Sequence, residues 1–333
     1  MLKVKTIIFM SLAAVWICNP SLHAAEKLAQ TGFQFLSVST DAGATGMGEA
    51  YTTMEGGSNA LFYNPAGLAR LDKRIDATFS VNSWIADIKH YAATVAYRPK
   101  NGAWGTFGLS AMWVDYGELD GTMVWNNSDG FIETGKFSPS ALAIGFGYAK
   151  LLNDKFAVGG QIKIVAQSLG ESMIPAEHNW ALGTVKKNVA STYAYDFGTV
   201  YRTGLKSLAF GMNVRNFSGE FEFEEESFQL PLTFKIGASM NVLDFLEEQP
   251  ENQSVLLCVD AAHPRSKAEC IGVGIRYQFM NMLNLRTGYI SGQDEYGMSF
   301  GFGVSVLGAA FDYAYTPFGV FESVSRITAR ISM

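Results

Sequence analysis

Gly297-Met298-Ser299-Phe300-Gly301 has the G-x-S-x-G spacing of a nucleophile elbow, in which a strained strand-to-helix turn exposes a serine beside an oxyanion hole. Here those residues sit inside an alternating run from Tyr296 to Val306 with no helical period after it. Ser299 therefore reads as a small residue on one face of a strand. Gly301 and Gly303 form a G-x-G pair without the third glycine or the following helix of a dinucleotide fingerprint. Beyond the first two dozen residues the histidines are His90, His178 and His263, far apart and without H-E-x-x-H zinc spacing. The acidic run Glu220 to Glu226 offers carboxylates to a hard cation, but Phe221, Phe223 and Phe228 give it the pattern of a solvated hairpin. No positioned nucleophile–base pair can be read from these spacings. The expectation is a protein that is not an enzyme and holds no metal or cofactor.

Composition narrows the class. The chain has 333 residues, 48% hydrophobic and 17% charged, with a net charge of −6. A disordered chain needs fewer aromatics and a higher net charge. The surplus of Lys and Arg that neutralises phosphates is missing, so nucleic acid is not an expected partner. Residues 1–24 carry Lys3 and Lys5 ahead of an apolar run from Ile7 to Cys18, then Leu22-His23-Ala24, the layout of a cleaved signal peptide. No later stretch reaches the roughly 20 apolar residues of a spanning helix. A secreted soluble protein and an outer-membrane barrel are the two classes left.

The period of the pattern chooses between them. From about Ile75 onward the hydrophobic period is two, not 3.6. In Cys270 to Phe279, large apolar residues alternate with Cys270, Gly272, Gly274, Arg276 and Gln278. Fourteen such runs are expected, at 75–83, 89–98, 104–114, 138–150, 156–168, 191–201, 207–216, 231–242, 254–262, 270–279, 282–290, 296–306, 308–316 and 325–333. Most approach the 9–11 residues with which a tilted strand crosses a bilayer, and the number is even, as in single-chain bacterial barrels. The longest connections, 115–137, 169–190 and 217–230, all follow odd-numbered strands, which sorts long external loops from short periplasmic turns. Tyr and Trp near strand ends fit interfacial girdles. Parity points Arg98, Lys163, Asp196, Arg215, Lys235, Asp260, Arg276, Arg286, Asp312, Arg326 and Arg330, together with His90, into the lumen. On the lipid face each would cost up to about 2–4 kcal/mol near the midplane. Cys258 and Cys270 are expected opposite each other across a turn at His263 to Arg265, as a disulfide or a close thiol pair.

Residues 25–70 do not alternate. They contain Asp41-Ala-Gly-Ala-Thr-Gly-Met-Gly-Glu-Ala50 and Ser58-Asn-Ala-Leu-Phe-Tyr-Asn-Pro-Ala-Gly-Leu-Ala69, compact small-residue text that could fill a lumen. This segment resembles the N-terminal signature of PorV/PorQ-type proteins in the FadL-like outer-membrane superfamily. Leu283 to Gly319 resembles that family's C-terminal strands, although this chain ends in Met333 where such strands commonly end in an aromatic. The resemblance implies an all-β, fourteen-stranded transmembrane outer-membrane barrel over 71–333, with residues 25–70 as a lumenal hatch. Gly46, Gly48, Asn64, Pro65, Ala66 and Gly67 are the residues expected to gate it, with Asn64-Pro65 as a pivot. The expected location is the bacterial outer membrane, with its lipids as partners. Two functions follow from the resemblance: admission of hydrophobic small molecules past the hatch, or accessory work in type IX secretion on secreted protein cargo.

Overall fold

The computed structural model describes residues 31–176, 179–223, 226–247, 250–293, 296–321 and 323–333. The segment expected to be a signal peptide, and His178, lie outside the described residues. The strands are β1 (Ile75–Ser83), β2 (Lys89–Tyr97), β3 (Thr106–Asp115), β4 (Leu119–Val124), β5 (Phe131–Phe137), β6 (Ser140–Leu151), β7 (Phe156–Ala176), β8 (Asn179–Arg202) and β9 (Ala209–Phe217). They continue with β10 (Phe221–Phe223), β11 (Glu226–Phe228), β12 (Thr233–Asn241), β13 (Gln253–Pro264), β14 (Cys270–Phe279), β15 (Leu283–Ile290), β16 (Met298–Val306), β17 (Ala309–Thr316) and β18 (Val324–Ser332). Fourteen of them form a closed antiparallel barrel in which β1 pairs with β18, while β4–β5 and β10–β11 are separate two-stranded hairpins. The fold is the all-β, fourteen-stranded barrel that the alternation predicts.

Closure pairs the first barrel strand with the last: Ile75 N–H donates to Met333 O at 2.7 Å and Met333 N–H returns a bond to Ile75 O at 2.9 Å. Outward residues such as Phe79, Leu109, Ile144, Phe146, Ile164, Phe210, Leu285, Phe302, Phe311 and Ile327 are exposed around the whole wall. Each would gain roughly 1.5–3 kcal/mol by leaving water, and hydrocarbon is the environment that supplies this for a closed barrel. The inward positions of the same strands are mostly Gly, Ala, Ser, Thr, Asn and charged residues, with Met112, Val114, Val165 and Val200 among them. This face must meet something close-fitting that is polar in most places and apolar in a few.

Three expectations are corrected. Residues 169–190 are not a free loop. β7 and β8 run on as a paired ribbon beyond Ser168↔Val189, through Glu171↔Lys187 to Ile174↔Thr184. Above the bilayer a ribbon needs no lipid-facing apolar row, so the alternation fades while the backbone pairing continues. Arg98 is not in a strand: Pro99 cannot donate to the ladder, β2 stops at Tyr97, and Arg98 opens a 3-10 turn at the rim. The cysteines do not face each other. The register pairs Cys258 with Gly274 and Ala262 with Cys270, because the turn after β13 is centred two residues later than His263–Arg265 suggests. Four residues along a strand is about 13 Å, and both thiols are free and buried. Denaturation without reductant should therefore leave both cysteines open to alkylation, read as two added adducts by mass spectrometry. Full labelling only after reduction would overturn this register.

Candidate functional site: the segment inside the barrel

Residues 31–71 run through the lumen from the end carrying the long hairpins to the short-turn rim. At the upper end Gly32 N–H donates to Gln229 O at 3.1 Å, and Phe33 meets Phe221 of the β10–β11 hairpin edge-on at 5.1 Å. Phe33, Phe35 and Leu36 are buried with Met112, Val114, Val165 and Leu230 in one apolar cluster. Lower down a one-turn helix, Ala42–Thr45, is capped by Asp41, which accepts from Ala44 N–H at 2.9 Å. Asn64 caps the 3-10 helix Pro65–Arg70 in the same way, accepting from Ala66 N–H. Leu71 then leads out to β1. Side-chain capping matters here, since a buried backbone donor without a partner costs about 1–3 kcal/mol.

Wall glycines make the close fit possible. A Cβ on Gly288 would collide with Gly48 N and Met47 C, and one on Gly274 with Met47 O. Gly48 itself has φ +60°, and a side chain there would press on the Tyr289 backbone at 2.7 Å. Gly46 lies against Gly301, and the Pro65 carbonyl group and Ala66 N lie against Gly159. Gly67 packs against Met54 O within the segment. These are backbone-to-backbone contacts that side chains would prevent.

The inward charged residues fall into separate groups. Near the apolar cluster, Lys163 pairs with Asp196 at 2.8 Å and also donates to Asn216 Oδ1 at 2.6 Å. Arg215 donates to Leu36 O at 3.2 Å, and its guanidinium lies 6.0 Å from the centre of the Tyr63 ring. A register shift between β8 and β9 turns Asn216, at φ +58°, inward as well. On another side Asp260 Oδ2 accepts from Tyr51 N–H and Thr52 N–H at 2.9 Å and from the Thr52 hydroxyl at 2.7 Å. Beside it Lys235 lies 3.8 Å from Glu49. Arg326 donates to Ser39 O at 2.9 Å and to Thr316 Oγ1 at 3.1 Å. His90 is buried with its ring 6.1 Å from that of Trp84.

A third group surrounds a polar cavity of about 160 Å³ between the segment and the wall. Its lining includes Asp41, Tyr51, Asn59, Arg276, Arg286, Asp312 and Arg330. Arg286 pairs with Asp312 and Arg330 with Asp76, each at 2.6 Å. At the short-turn rim Arg98 donates to Leu71 O at 2.6 Å. Parity missed one further clamp there: Glu55 takes both Arg70 at 2.7 Å and Arg202 at 2.6 Å. Asn64, expected at the pivot, donates to Thr52 O at 2.7 Å and to Thr199 O at 3.0 Å. Parity also missed two neutral wall anchors: Asn213 donates to Tyr63 O, and Thr328 accepts from Ala42 N–H at 2.9 Å. Their signal, an isolated Asn or Thr on an otherwise small inward face, is too common to single out.

No family model matches this sequence, and no curated protein is significantly similar to it. Its fold is shared by solved transport barrels. The Ralstonia pickettii toluene transporter TbuX superimposes with a TM-score of 0.57 at 13% identity, over 87% of this chain and 97% of that one. The CymD monoaromatic hydrocarbon channel gives 0.58 at 13% identity, over 89% and 98%. A Pseudomonas aeruginosa FadL homologue gives 0.56 at 12% identity, over 88% and 98%. At these identities the likeness is one of architecture. The chain has the fold of FadL-like outer-membrane barrels.

Proposed function

We propose that the protein sits in the bacterial outer membrane and admits hydrophobic small molecules past residues 31–70, which act as a hatch. The observation that carries this is the apolar cluster of Phe33, Phe35, Leu36, Met112, Val114, Val165 and Leu230 at the long-loop end. It is an apolar surface buried at the long-loop mouth, and a second apolar cluster around Leu61, Leu68, Leu71 and Val200 lies farther down the lumen. The void beside the first, lined by Leu36, Leu61, Phe62 and Met112 on one side and by Lys163, Asp196 and Arg215 on the other, is only about 20 Å³. Benzene needs a cavity of about 150 Å³, so passage requires Phe35 and Leu36 to move. Arg215 on Leu36 O is the polar tie that such movement breaks. Below it Asn64-Pro65, bonded to Thr199 O, is suited to stay fixed as the pivot. The transport named for TbuX and CymD supports the same reading.

The second reading, an accessory role in type IX secretion, has one feature in its favour. The β7–β8 ribbon and the β4–β5 hairpin flank a groove of about 440 Å³ whose lining mixes Phe137, Val185 and Val189 with Lys136, Glu171 and Lys187, a surface that a secreted protein could use. Uptake of labelled toluene and of longer hydrophobics, measured in cells with and without the protein alongside their secreted proteins, separates the two. The hatch reading expects uptake to fall several-fold on deletion with an unchanged secreted set. Unchanged uptake with specific secreted proteins lost would replace it by the secretion reading.

A further inference from the structure

The polar cavity does not belong to a hydrophobic path. Its register places Arg276 of β14 directly opposite Arg286 of β15, and like charges at directly opposed positions of an antiparallel pair repel. The carboxylates nearby are already engaged. Asp312 is held by Arg286, Asp76 by Arg330, and Glu55 by Arg70 and Arg202. Asp41 accepts from Ala44 N–H and from Asn59 at 3.0 Å. Arg276 has no carboxylate within ion-pair distance among the described residues, and its Nε is buried without a hydrogen-bond partner. Among the described residues Arg276 is thus the guanidinium of this lining without an ion pair, facing a space of about 160 Å³. That space also presents Gln278, Asn284, the Tyr51 hydroxyl group and, held by Ala44 N–H and Asn59 alone, Asp41.

We propose that this cavity is a binding site for an oxyanion, a carboxylate or phosphate group, held by Arg276 with Arg286 and the neighbouring amides. A planar guanidinium matches either group with two parallel hydrogen bonds. An anion there also relieves the repulsion between the two arginines. The volume is that of a few water molecules, so the group bound is compact. Ser305, Ala310 and Arg330 line both this cavity and a shallow depression at the short-turn rim, so the site opens toward that side, away from the apolar cluster. The site goes beyond the transport reading and does not depend on it.

The test is titration calorimetry on the full barrel in detergent, with inorganic phosphate, acetate and decanoate titrated separately. Saturable binding of at least one of them is expected, falling at least tenfold in Arg276→Gln. Saturation by acetate or phosphate identifies a free anion, and saturation by decanoate alone identifies the head group of an amphiphile. Arg276→Lys, which keeps the charge and loses the fork, is expected to lie between the wild type and Arg276→Gln. Heat-modifiable electrophoretic mobility checks that each variant remains a closed barrel, and the Lys variant carries the test if the Gln variant does not fold. No saturable binding by the wild type, or equal affinity in the variants, overturns the site.

Discussion

Gly288→Val should expel the segment from its place against β15 while leaving the barrel closed. The wall itself has no objection to valine, which is a better strand former than glycine. The obstacle is across the lumen, where a Cβ would overlap Gly48 N and Met47 C. Backbone atoms cannot rotate away as a side chain would, and Gly48 already occupies φ +60°, a conformation that restricts alternative paths. Overpacking of a tight core costs about 1–3 kcal/mol, and the upper end applies where both sides are backbone. About 3 kcal/mol is roughly a hundredfold in the displaced population. Limited proteolysis of purified protein should then cut between Ala42 and Gly57 far faster in the variant, with heat-modifiable mobility unchanged. Equal resistance in the two proteins would mean that the segment does not rest on Gly288.

How much of this was legible follows from where each constraint acts. Alternation such as Ile271, Val273 and Ile275 against Gly272, Gly274 and Arg276 is local, so strand limits other than the upper ends of β7 and β8 lie within a few residues of expectation. The cysteine register failed because a shift of two residues in one turn leaves the alternation intact while moving each partner by four positions. The ribbon above Ser168 was hidden for a different reason. Water on both of its faces removes the apolar row by which a membrane strand is recognised. Parity could list the lumenal charges but could not sort them. Arg286 and Asp312 lie on strands separated by β16, and nothing in their spacing distinguishes the paired Arg286 from the unpaired Arg276. Apart from its resemblance to a family signature, the lumenal segment was visible as an absence of period, together with glycines such as Gly46 and Gly48 whose reason lies in strands more than two hundred residues away.

Asp260→Ala should loosen the same segment from the opposite side of its path, through lost hydrogen bonds instead of overlap. Asp260 is a fully buried wall residue whose single oxygen Oδ2 collects Tyr51 N–H, Thr52 N–H and the Thr52 hydroxyl. Gly237 leaves the space in which that carboxylate stands, since a Cβ there would overlap Oδ1. Truncation strands donors at a place where little solvent can replace the acceptor. Hydrogen bonds to a charged group contribute about 1.5–3 kcal/mol each, and an unsatisfied buried donor costs about 1–3 kcal/mol. A net loss of about 3 kcal/mol is the conservative expectation, because the freed segment recovers some bonds to water. Amide exchange at Tyr51 and Thr52 should accelerate by about two orders of magnitude, while strand amides of β13 and β14 keep their protection. Asp260→Asn retains an acceptor at the Oδ2 position and places its amide where Oδ1 has no partner, so its acceleration should be smaller, about tenfold. If the hatch reading holds, Asp260→Ala also raises the uptake of apolar compounds, because less work is needed to move the segment. Unchanged exchange in Asp260→Ala would show that Lys235, Asn64 and the glycine contacts hold the segment without Asp260.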